Sequence, residues 1–242
     1  MFKILFQSTE LIALDKPAGF HVHRPENSRF VIPENKLVLQ NLRRQIQKHL
    51  YPVHRLDAAT SGVLLMALTQ DAAREISILF RENRIQKTYW SVLRGYLPDQ
   101  GRIDLPLELD STGDLVAART DYLTKARIEL PFAVGKIHPT ARYSLVEVRP
   151  QTGRYHQIRR HFNRLNHPVI GDVTHGDGHH NKFFRTQLEL PGLCLRAMSL
   201  ELDNWRGQRL CISAEVDNNW QKINKLFTKA ADDGCSSAAK PQ

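Results

Sequence analysis

The residues best suited to chemistry lie in one short stretch before an apolar run. The stretch reads His54-Arg55-Leu56-Asp57-Ala58-Ala59-Thr60-Ser61-Gly62, and the six residues 63–68 that follow are apolar. A continuous apolar run of this length predicts a strand that is buried on both faces. Because reactive groups are often carried on loops held by a rigid scaffold, Asp57 is the first candidate for chemistry. The alternative is that Asp57 and Thr60 only hydrogen-bond the turn.

A second group of candidates is strongly basic. Apolar residues at 158, 162 and 165 predict a helix that leaves its arginines and histidines on the other faces. Between Arg142 and Arg164 the chain has six arginines and one acidic residue, Glu147. Helices usually carry both signs of charge, so this one-sided segment is the expected phosphate-binding surface. Its arginines are Arg142, Arg149, Arg154, Arg159, Arg160 and Arg164.

The charge of the whole chain favours a polyanionic partner. The 242 residues include 34 Lys and Arg against 25 Asp and Glu, a net charge of +9. Such an excess is typical of proteins that bind nucleic acid or an acidic membrane surface, although a basic protein need have neither partner. No apolar run approaches the roughly 20 residues needed to span a bilayer, so we expect no membrane association. The N-terminus becomes polar too soon for a signal peptide.

Neither the cysteines nor the histidines predict a metal site. Cys194, Cys211 and Cys235 are scattered without a Cys-x-x-Cys pair, which argues against disulfides and zinc and fits a reducing cytoplasm. The segment His175–His180 holds three histidines and an aspartate, but it also holds two glycines. A metal needs three or four ligands in fixed geometry, so we expect this segment to be a slack loop without metal.

The hydrophobic pattern predicts mixed secondary structure around these candidates. Strands are expected at 2–6, 11–14, 62–68, 86–93, 125–130, 141–149, 193–202 and 209–216. Helices are expected at 34–50, 69–83, 154–165 and 220–227. A turn at Asp15–Gly19 would present Lys16. Tyr89 lies in the strand 86–93, where simple core packing is the plain interpretation of its ring.

These elements predict one α+β domain over residues 1–228, built on a mostly antiparallel or mixed sheet. The sequence has no internal repeat and no linker. Small and polar residues dominate from Lys229 onward, so 229–242 is expected to be a disordered tail.

Five motifs, taken together and in order, resemble the RluA-type pseudouridine synthase family. They span positions 10 to 200 or so of the chain and are far more specific together than any one alone. The motifs are Lys16-Pro17-Ala18-Gly19, His54-Arg55-Leu56-Asp57 with Thr60-Ser61-Gly62, Gln86-Lys87-Thr88-Tyr89, Thr152-Gly153-Arg154 with His156-Gln157-Ile158-Arg159, and His167-Pro168-Val169-Ile170-Gly171-Asp172.

The resemblance assigns roles to individual residues. It implies that Asp57 is the catalytic aspartate, that Tyr89 stacks on the target uracil and that Arg154 pairs with Asp57. Arg55 would occupy the space left by the flipped nucleotide. The implied fold is a long bent mixed sheet, flanked by helices, around a basic cleft. The residues expected to contact RNA are Lys16, His54, Arg55, Arg142, Arg159, Arg160 and Arg164.

The resemblance also implies a substrate and the absence of a cofactor. Segments 139–147, 159–161 and 175–177 are most similar to the type that modifies a uridine at position 65 in the T-stem of tRNA. A pseudouridine synthase acting on ribosomal RNA, or on both RNAs, is the alternative, and a non-catalytic RNA-binding protein is a more distant one. Isomerising uridine neither oxidises nor imports a group, so no cofactor is expected. The sequence also gives no sign of an obligate protein partner. One departure is Arg196, where the family usually has histidine.

A metal-dependent hydrolase is the remaining alternative. It would use histidines together with Asp57, namely His54, His156 and His175. The sequence lacks the clustered carboxylates that such sites favour. We therefore expect metal-free chemistry at Asp57.

Overall fold

A computed structural model describes residues 1–24, 31–109, 112–135 and 138–236, with the backbone alone for 229–236. The strands are β1 (Lys3–Gln7), β2 (Leu11–Lys16), β3 (Tyr51–Pro52), β4 (Ser61–Ala67), β5 (Ile85–Arg94), β6 (Gln100–Asp104), β7 (Leu107–Glu108), β8 (Leu115–Val116), β9 (Arg119–Leu130), β10 (Ala141–Pro150), β11 (Leu195–Trp205) and β12 (Gln208–Ser213). The helices are α1 (Val38–Ile46), α2 (Gln70–Arg81), α3 (Gln157–Arg164), α4 (Gly178–Thr186) and α5 (Asn218–Ser236). A 3-10 turn at Glu34–Lys36 precedes α1.

The chain forms two compact units. Unit 1 consists of Met1–Tyr89 and Leu195–Ala214, and unit 2 consists of Trp90–Cys194 and the chain from Glu215 onward. The boundary falls inside β5, and a distant segment completes unit 1. A division inside a strand leaves no linker in the sequence, which is why the sequence predicts one domain.

Unit 1 is built on a mixed sheet with β4 at its centre. β1, β2 and β4 are antiparallel neighbours, β4 and β11 are parallel, and β12 returns antiparallel to β11. β11 and β3 pair with opposite ends of β4, at residues 61–62 and 66–67. The prediction of a strand buried on both faces is confirmed, because every residue of β4 is buried.

The side chains of β2 and β4 point alternately to the two faces of the sheet, which divides the core of unit 1 into two clusters. Val63 and Leu65 join Leu11 and Ala72 in one cluster, which also receives Ile76 of α2. The opposite cluster includes apolar residues of β2, β4 and α1, namely Ile12, Leu14, Leu64, Met66, Val38 and Leu42. Successive side chains of a strand point to opposite faces, so each face of the sheet buries its own set. Full burial of such a side chain stabilises the fold by about 1.5–3 kcal/mol.

Unit 2 is built on an antiparallel ladder of β6, β9 and β10. β7 and β8 form a separate two-stranded ribbon. Aromatic residues of α4 and α5 share one buried cluster with Tyr143 of β10, namely Phe184, Trp220 and Phe227. Both units thus combine β-sheet with packed helices, and the predicted α+β class is confirmed.

The helix predictions differ mainly at the ends. Helix α2 is confirmed, with the Thr69 hydroxyl accepting a hydrogen bond from the amide of Ala72. Helix α1 ends early because Gln47 adopts a left-handed conformation at φ 54°. Helix α5 continues to Ser236, beyond the boundary at 228 that the sequence predicts, and residues 237–242 lie outside the described part. No helix in the described residues is long and apolar enough to cross a membrane.

Candidate active site

Asp57 lies in an irregular loop between β3 and β4 of unit 1. Its carbonyl accepts a hydrogen bond of 3.1 Å from the amide of Thr60, which closes a turn. The carbonyl of the next residue, Ala58, accepts from the amide of Gly19 at 2.7 Å. The Asp57 side chain remains partly exposed. The loop therefore places a partly exposed carboxylate at the start of the buried central strand.

Lys16 lies beneath this loop and has no exposed surface. Its ammonium donates to the carbonyls of Phe20 at 2.8 Å and of Pro17 and Ala58 at 3.1 Å each. Burial lowers the pKa of Lys16 to about 7, and the nearby negative charge of Asp57 opposes that change. The cation of Lys16 is enclosed and holds the loop, and its predicted contact with RNA stays a prediction.

His54 lies before the loop and contacts the buried strand β4 and helix α2. Its Nε2 atom accepts from the amide of Leu65 at 2.9 Å, and its ring stacks on Phe80 at 4.5 Å between centroids. Burial, and secondarily the charge of Lys87, lower the pKa of His54 to about 3. The ring is therefore neutral at pH 7, and the predicted RNA contact of His54 stays a prediction. Arg55, the next residue, is exposed.

Tyr89 is close enough to Asp57 for the two to interact electrostatically. Burial raises the pKa of the Tyr89 phenol, and the negative charge of Asp57 raises it further. The ring is partly exposed and packs against the cluster of buried residues that includes Leu56 and Leu64. Core packing therefore accounts for part of its surface, and stacking on uracil stays a prediction.

Arg154 belongs to unit 2 and is exposed. Its Nε donates to the carbonyl of Ala117 at 3.1 Å, and its amide donates to Oε1 of Gln157 at 3.0 Å. Its pairing with Asp57, which lies in unit 1, stays a prediction.

The basic helix α3 differs from its prediction. Arg159 is buried and donates from Nε and Nη2 to the Asp172 carboxylate, both at 2.7 Å, and its predicted RNA contact stays a prediction. His161 is also buried and hydrogen-bonds the Thr120 hydroxyl and the Leu105 carbonyl. The buried residues of α3 therefore include Gln157, Arg159 and His161 beside the apolar Ile158 and Phe162.

Three further arginines of unit 2 also have protein partners, Arg160 being partly exposed and Arg142 and Arg164 exposed. Arg160 donates to the carbonyl of Glu108 at 2.9 Å, and Arg164 donates to that of Pro106 at 2.5 Å. Arg142 forms an ion pair with Glu129 at 3.1 Å. Their exposure is compatible with the predicted phosphate contacts, which stay predictions.

The segment 175–180 is ordered by a helix that the sequence analysis missed. Asp177 caps α4 by accepting from the amides of His179 at 2.9 Å and His180 at 3.4 Å. The predicted slack loop is therefore wrong, since the Asp-Gly-His-His sequence is a capped helix start. Nδ1 of His156 lies 3.0 Å from Nε2 of His175, so one histidine donates to the other. The described residues contain no group of three or more His, Cys, Asp or Glu placed to hold a metal ion.

Comparison with known proteins decides the family. The sequence profile described as RNA pseudouridylate synthase matches residues 10–164. The tRNA pseudouridine synthase C of Vibrio vulnificus is 40% identical over 238 residues, which cover 94% of this chain and 96% of that protein. The protein of the same name from Pasteurella multocida is 43% identical over 236 residues, covering 93% and 96%.

The chain belongs to the RNA pseudouridylate synthase family. It is therefore an isomerase that acts on RNA, and the resemblance predicted from the motifs is confirmed.

Solved structures show the same fold. The human RNA Pseudouridylate Synthase Domain Containing 1 superimposes with a TM-score of 0.70 at 22% identity, covering 100% of this chain and 96% of that one. The human Domain Containing 4 protein gives a TM-score of 0.70 at 22% identity, covering 93% of both chains. The pseudouridine synthase fold is thus confirmed, and the basic cleft stays a prediction.

Motif analysis missed the groups that support the Asp57 loop. Asp15 and Arg196 form an ion pair of 2.7 Å although 181 positions separate them in the sequence. The available signal was a charged residue within each of two apolar strands, at Leu14-Asp15 and Leu195-Arg196-Ala197. Isolated charges in buried strands need partners, so such a pair can be sought from sequence.

Proposed function

We propose that this RNA pseudouridine synthase modifies tRNA, at the uridine at position 65 in the T-stem. The observation that carries the proposal is the 40% and 43% identity, over nearly the whole chain, to proteins named tRNA pseudouridine synthase C. The position in the T-stem comes from the motif resemblance. The scattered cysteines fit a reaction in the cytoplasm.

Asp57 is the proposed catalytic carboxylate. The reaction breaks the bond from uracil N1 to ribose C1′ and turns the base. It then joins C5 to C1′, C5 loses its proton and N1 gains one. A carboxylate serves this sequence as a nucleophile toward C1′ or the uracil ring, or as a stabiliser of positive charge at C1′. The partly exposed position of Asp57, above the Lys16 anchor, supports this role.

Tyr89 and the arginines complete the proposed site. A uridine within a helix must leave its stack before its glycosidic bond is accessible, and Tyr89 supplies a ring on which the base stacks. Arg55 fills the space that the nucleotide leaves, and Arg154 pairs with Asp57. Arg142, Arg160 and Arg164 contact phosphates. The electrostatic proximity of Tyr89 to Asp57 supports the placement of the ring.

The test compares wild type with Asp57→Asn under single-turnover conditions on an in vitro tRNA transcript. We expect wild type to convert the uridine at position 65, and Asp57→Asn to convert none while keeping its melting temperature and tRNA affinity. Asn is nearly isosteric with Asp but lacks the negative charge. Asp71→Asn, at an exposed aspartate of α2, is the matched control and should retain activity.

Two results would contradict the proposal in different ways. Turnover by Asp57→Asn at the wild-type rate would remove Asp57 from the chemistry. Conversion of a uridine in a ribosomal RNA fragment but not in tRNA would leave the isomerase chemistry intact and contradict the proposed tRNA substrate. A transcript with cytidine at position 65 tests the site within the tRNA.

A further inference from the structure

An ion pair between a buried arginine and a partly exposed aspartate lies near the Asp57 loop within unit 1. Arg196 of β11 is 1% exposed, and its Nη2 donates to Oδ2 of Asp15 at 2.7 Å. Its Nη1 donates to the hydroxyl of Ser61 at 3.2 Å. A charge removed from water is costly unless it is paired and hydrogen-bonded, and Arg196 is both. The guanidinium thus connects β2, β4 and β11.

The strand register places this connection at the first residues of β4. Arg196 is opposite Ser61, and Asp15 is opposite Val63. Ser61 directly follows Thr60, whose amide closes the turn on the Asp57 carbonyl. The guanidinium is therefore bonded to the strand residue four positions after Asp57.

The backbones of β4 and β11 approach unusually closely at the same point. Gly62 has φ +107°, and a Cβ atom there would lie 2.0 Å from the carbonyl oxygen of Ala197. Only glycine fits this approach. The start of β4 is thus set by β11 on one side, while Lys16 of β2 holds the Ala58 carbonyl on the other.

We propose that Arg196 is a positioning residue for Asp57, acting through Ser61 and the start of β4. The inference rests on the proposed catalytic role of Asp57. The planar guanidinium donates to a carboxylate and a hydroxyl in fixed directions, which a lysine ammonium does not reproduce. Displacement of reacting groups by about 1 Å costs up to about 100-fold in rate, so a loop held less firmly slows the isomerisation.

The experiment uses two variants of the full chain that loosen this connection. Arg196→Lys keeps the charge but loses the fork, and Ser61→Ala removes the hydroxyl while retaining Arg196 and Asp15. The matched control is Arg206→Lys, because Arg206 lies in the turn after the same strand and forms exposed ion pairs with Glu10 and Glu75.

The first measurement is the single-turnover rate at saturating enzyme. We expect the plateau rate to fall about 10-fold in both variants, with tRNA affinity unchanged and Arg206→Lys within about 2-fold of wild type. A purely structural role would lower the folded fraction, which changes the enzyme concentration needed for saturation rather than the plateau rate. Wild-type plateau rates in both variants, with only a lower melting temperature, would overturn the proposal.

The second measurement is amide hydrogen exchange in peptides covering residues 54–62, which needs no turnover. Faster exchange in Arg196→Lys and Ser61→Ala, but not in Arg206→Lys, would support the proposal, and unchanged exchange in all three would overturn it. Asp57→Asn is assayed in parallel. If it remains active, the proposed function fails, while loop exchange still decides whether Arg196 positions the loop.

Discussion

At the scale of single residues, Lys16 is a buried cation whose charge depends on pH near neutrality. Its pKa is about 7 in the folded protein, against 10.5 for an ordinary lysine. Between these values the unfolded chain binds more protons than the folded one, so stability rises with pH. Below pH 7 both states are protonated, and the full cost of the buried charge remains.

The prediction concerns the variant Lys16→Met, which cannot titrate at this position. From pH 7 to pH 9, we expect the unfolding free energy of wild type to increase relative to that of Lys16→Met. The slope should reach at most about 1.4 kcal/mol per pH unit, the value for one proton. Urea unfolding of both proteins at several pH values measures it. Parallel curves would mean that Lys16 keeps an ordinary pKa in the fold.

Tyr89 offers a direct test of base stacking, because its ring and its hydroxyl can be removed separately. Tyr89→Phe should retain most of the tRNA affinity, since the stacking face persists. Tyr89→Ala should lose about 1–3 kcal/mol of binding free energy and slow turnover as well. Binding isotherms and single-turnover rates of both variants measure these effects. If the alanine variant binds and reacts as wild type does, the ring serves only the core.

At the scale of elements, α3 fastens the segment that leads into β9. Three side chains of α3 hydrogen-bond backbone carbonyls of that segment. The pairs are His161 with Leu105, Arg160 with Glu108 and Arg164 with Pro106. Arg154, just before α3, likewise donates to the Ala117 carbonyl. These side chains satisfy backbone acceptors of a segment with little secondary structure of its own. A phosphate contact from Arg160 or Arg164 would therefore use their other N–H groups.

This arrangement gives a prediction for Arg160→Ala/Arg164→Ala. Each phosphate contact adds about −0.7 to −0.9 to the slope of log affinity against log salt, so the double variant should flatten the slope by up to about 2. Fluorescence anisotropy with labelled tRNA at several salt concentrations measures the slope. The control Arg84→Ala/Arg209→Ala removes the same charge from other exposed sites. Equal flattening in the control would show a general charge effect and not a surface on α3.

Local sequence patterns predict most helices and strands. They miss features that depend on contacts with residues distant in the sequence. Strand β4 and helix α2 follow from an apolar run and a Thr69 cap. Helix α4 was missed because glycine and histidine suggest a loop, whereas the Asp177 cap and the packing of Phe184 on Tyr143 stabilise a helix. Hydrophobic periodicity likewise could not show that Arg159 is buried. Its burial depends on the ion pair with Asp172, which a periodic pattern does not reveal.

At the scale of the whole molecule, the motifs predict the family and the fold, but not the two units. The motifs lie in separate parts of the chain, and the resemblance depends on their sequences and their order. It therefore contains no information on how the chain is divided into units. The division into units depends on β11 returning to β4, a pairing of residues 135 positions apart. The Asp15–Arg196 pair beside Asp57 depends on the same return, so motif spacing alone could not place it.

The last prediction concerns the chemistry of the whole enzyme, which we expect to need no metal ion. The isomerisation exchanges one glycosidic bond for another without oxidation, and a carboxylate with a stacked base is sufficient in the proposed site. We therefore expect turnover to be unchanged in excess EDTA once the tRNA has been folded and its structure verified. Spermidine replaces magnesium as the counterion, so that the chelator does not unfold the substrate.

The control separates effects on the RNA from effects on the protein. The enzyme is dialysed against EDTA alone and then added to folded tRNA, in parallel with tRNA treated by itself. A loss that follows the treated tRNA would reflect RNA folding. A loss that follows the treated enzyme, and is restored only by zinc or another transition metal, would contradict metal-free catalysis at Asp57 and favour a metal site instead.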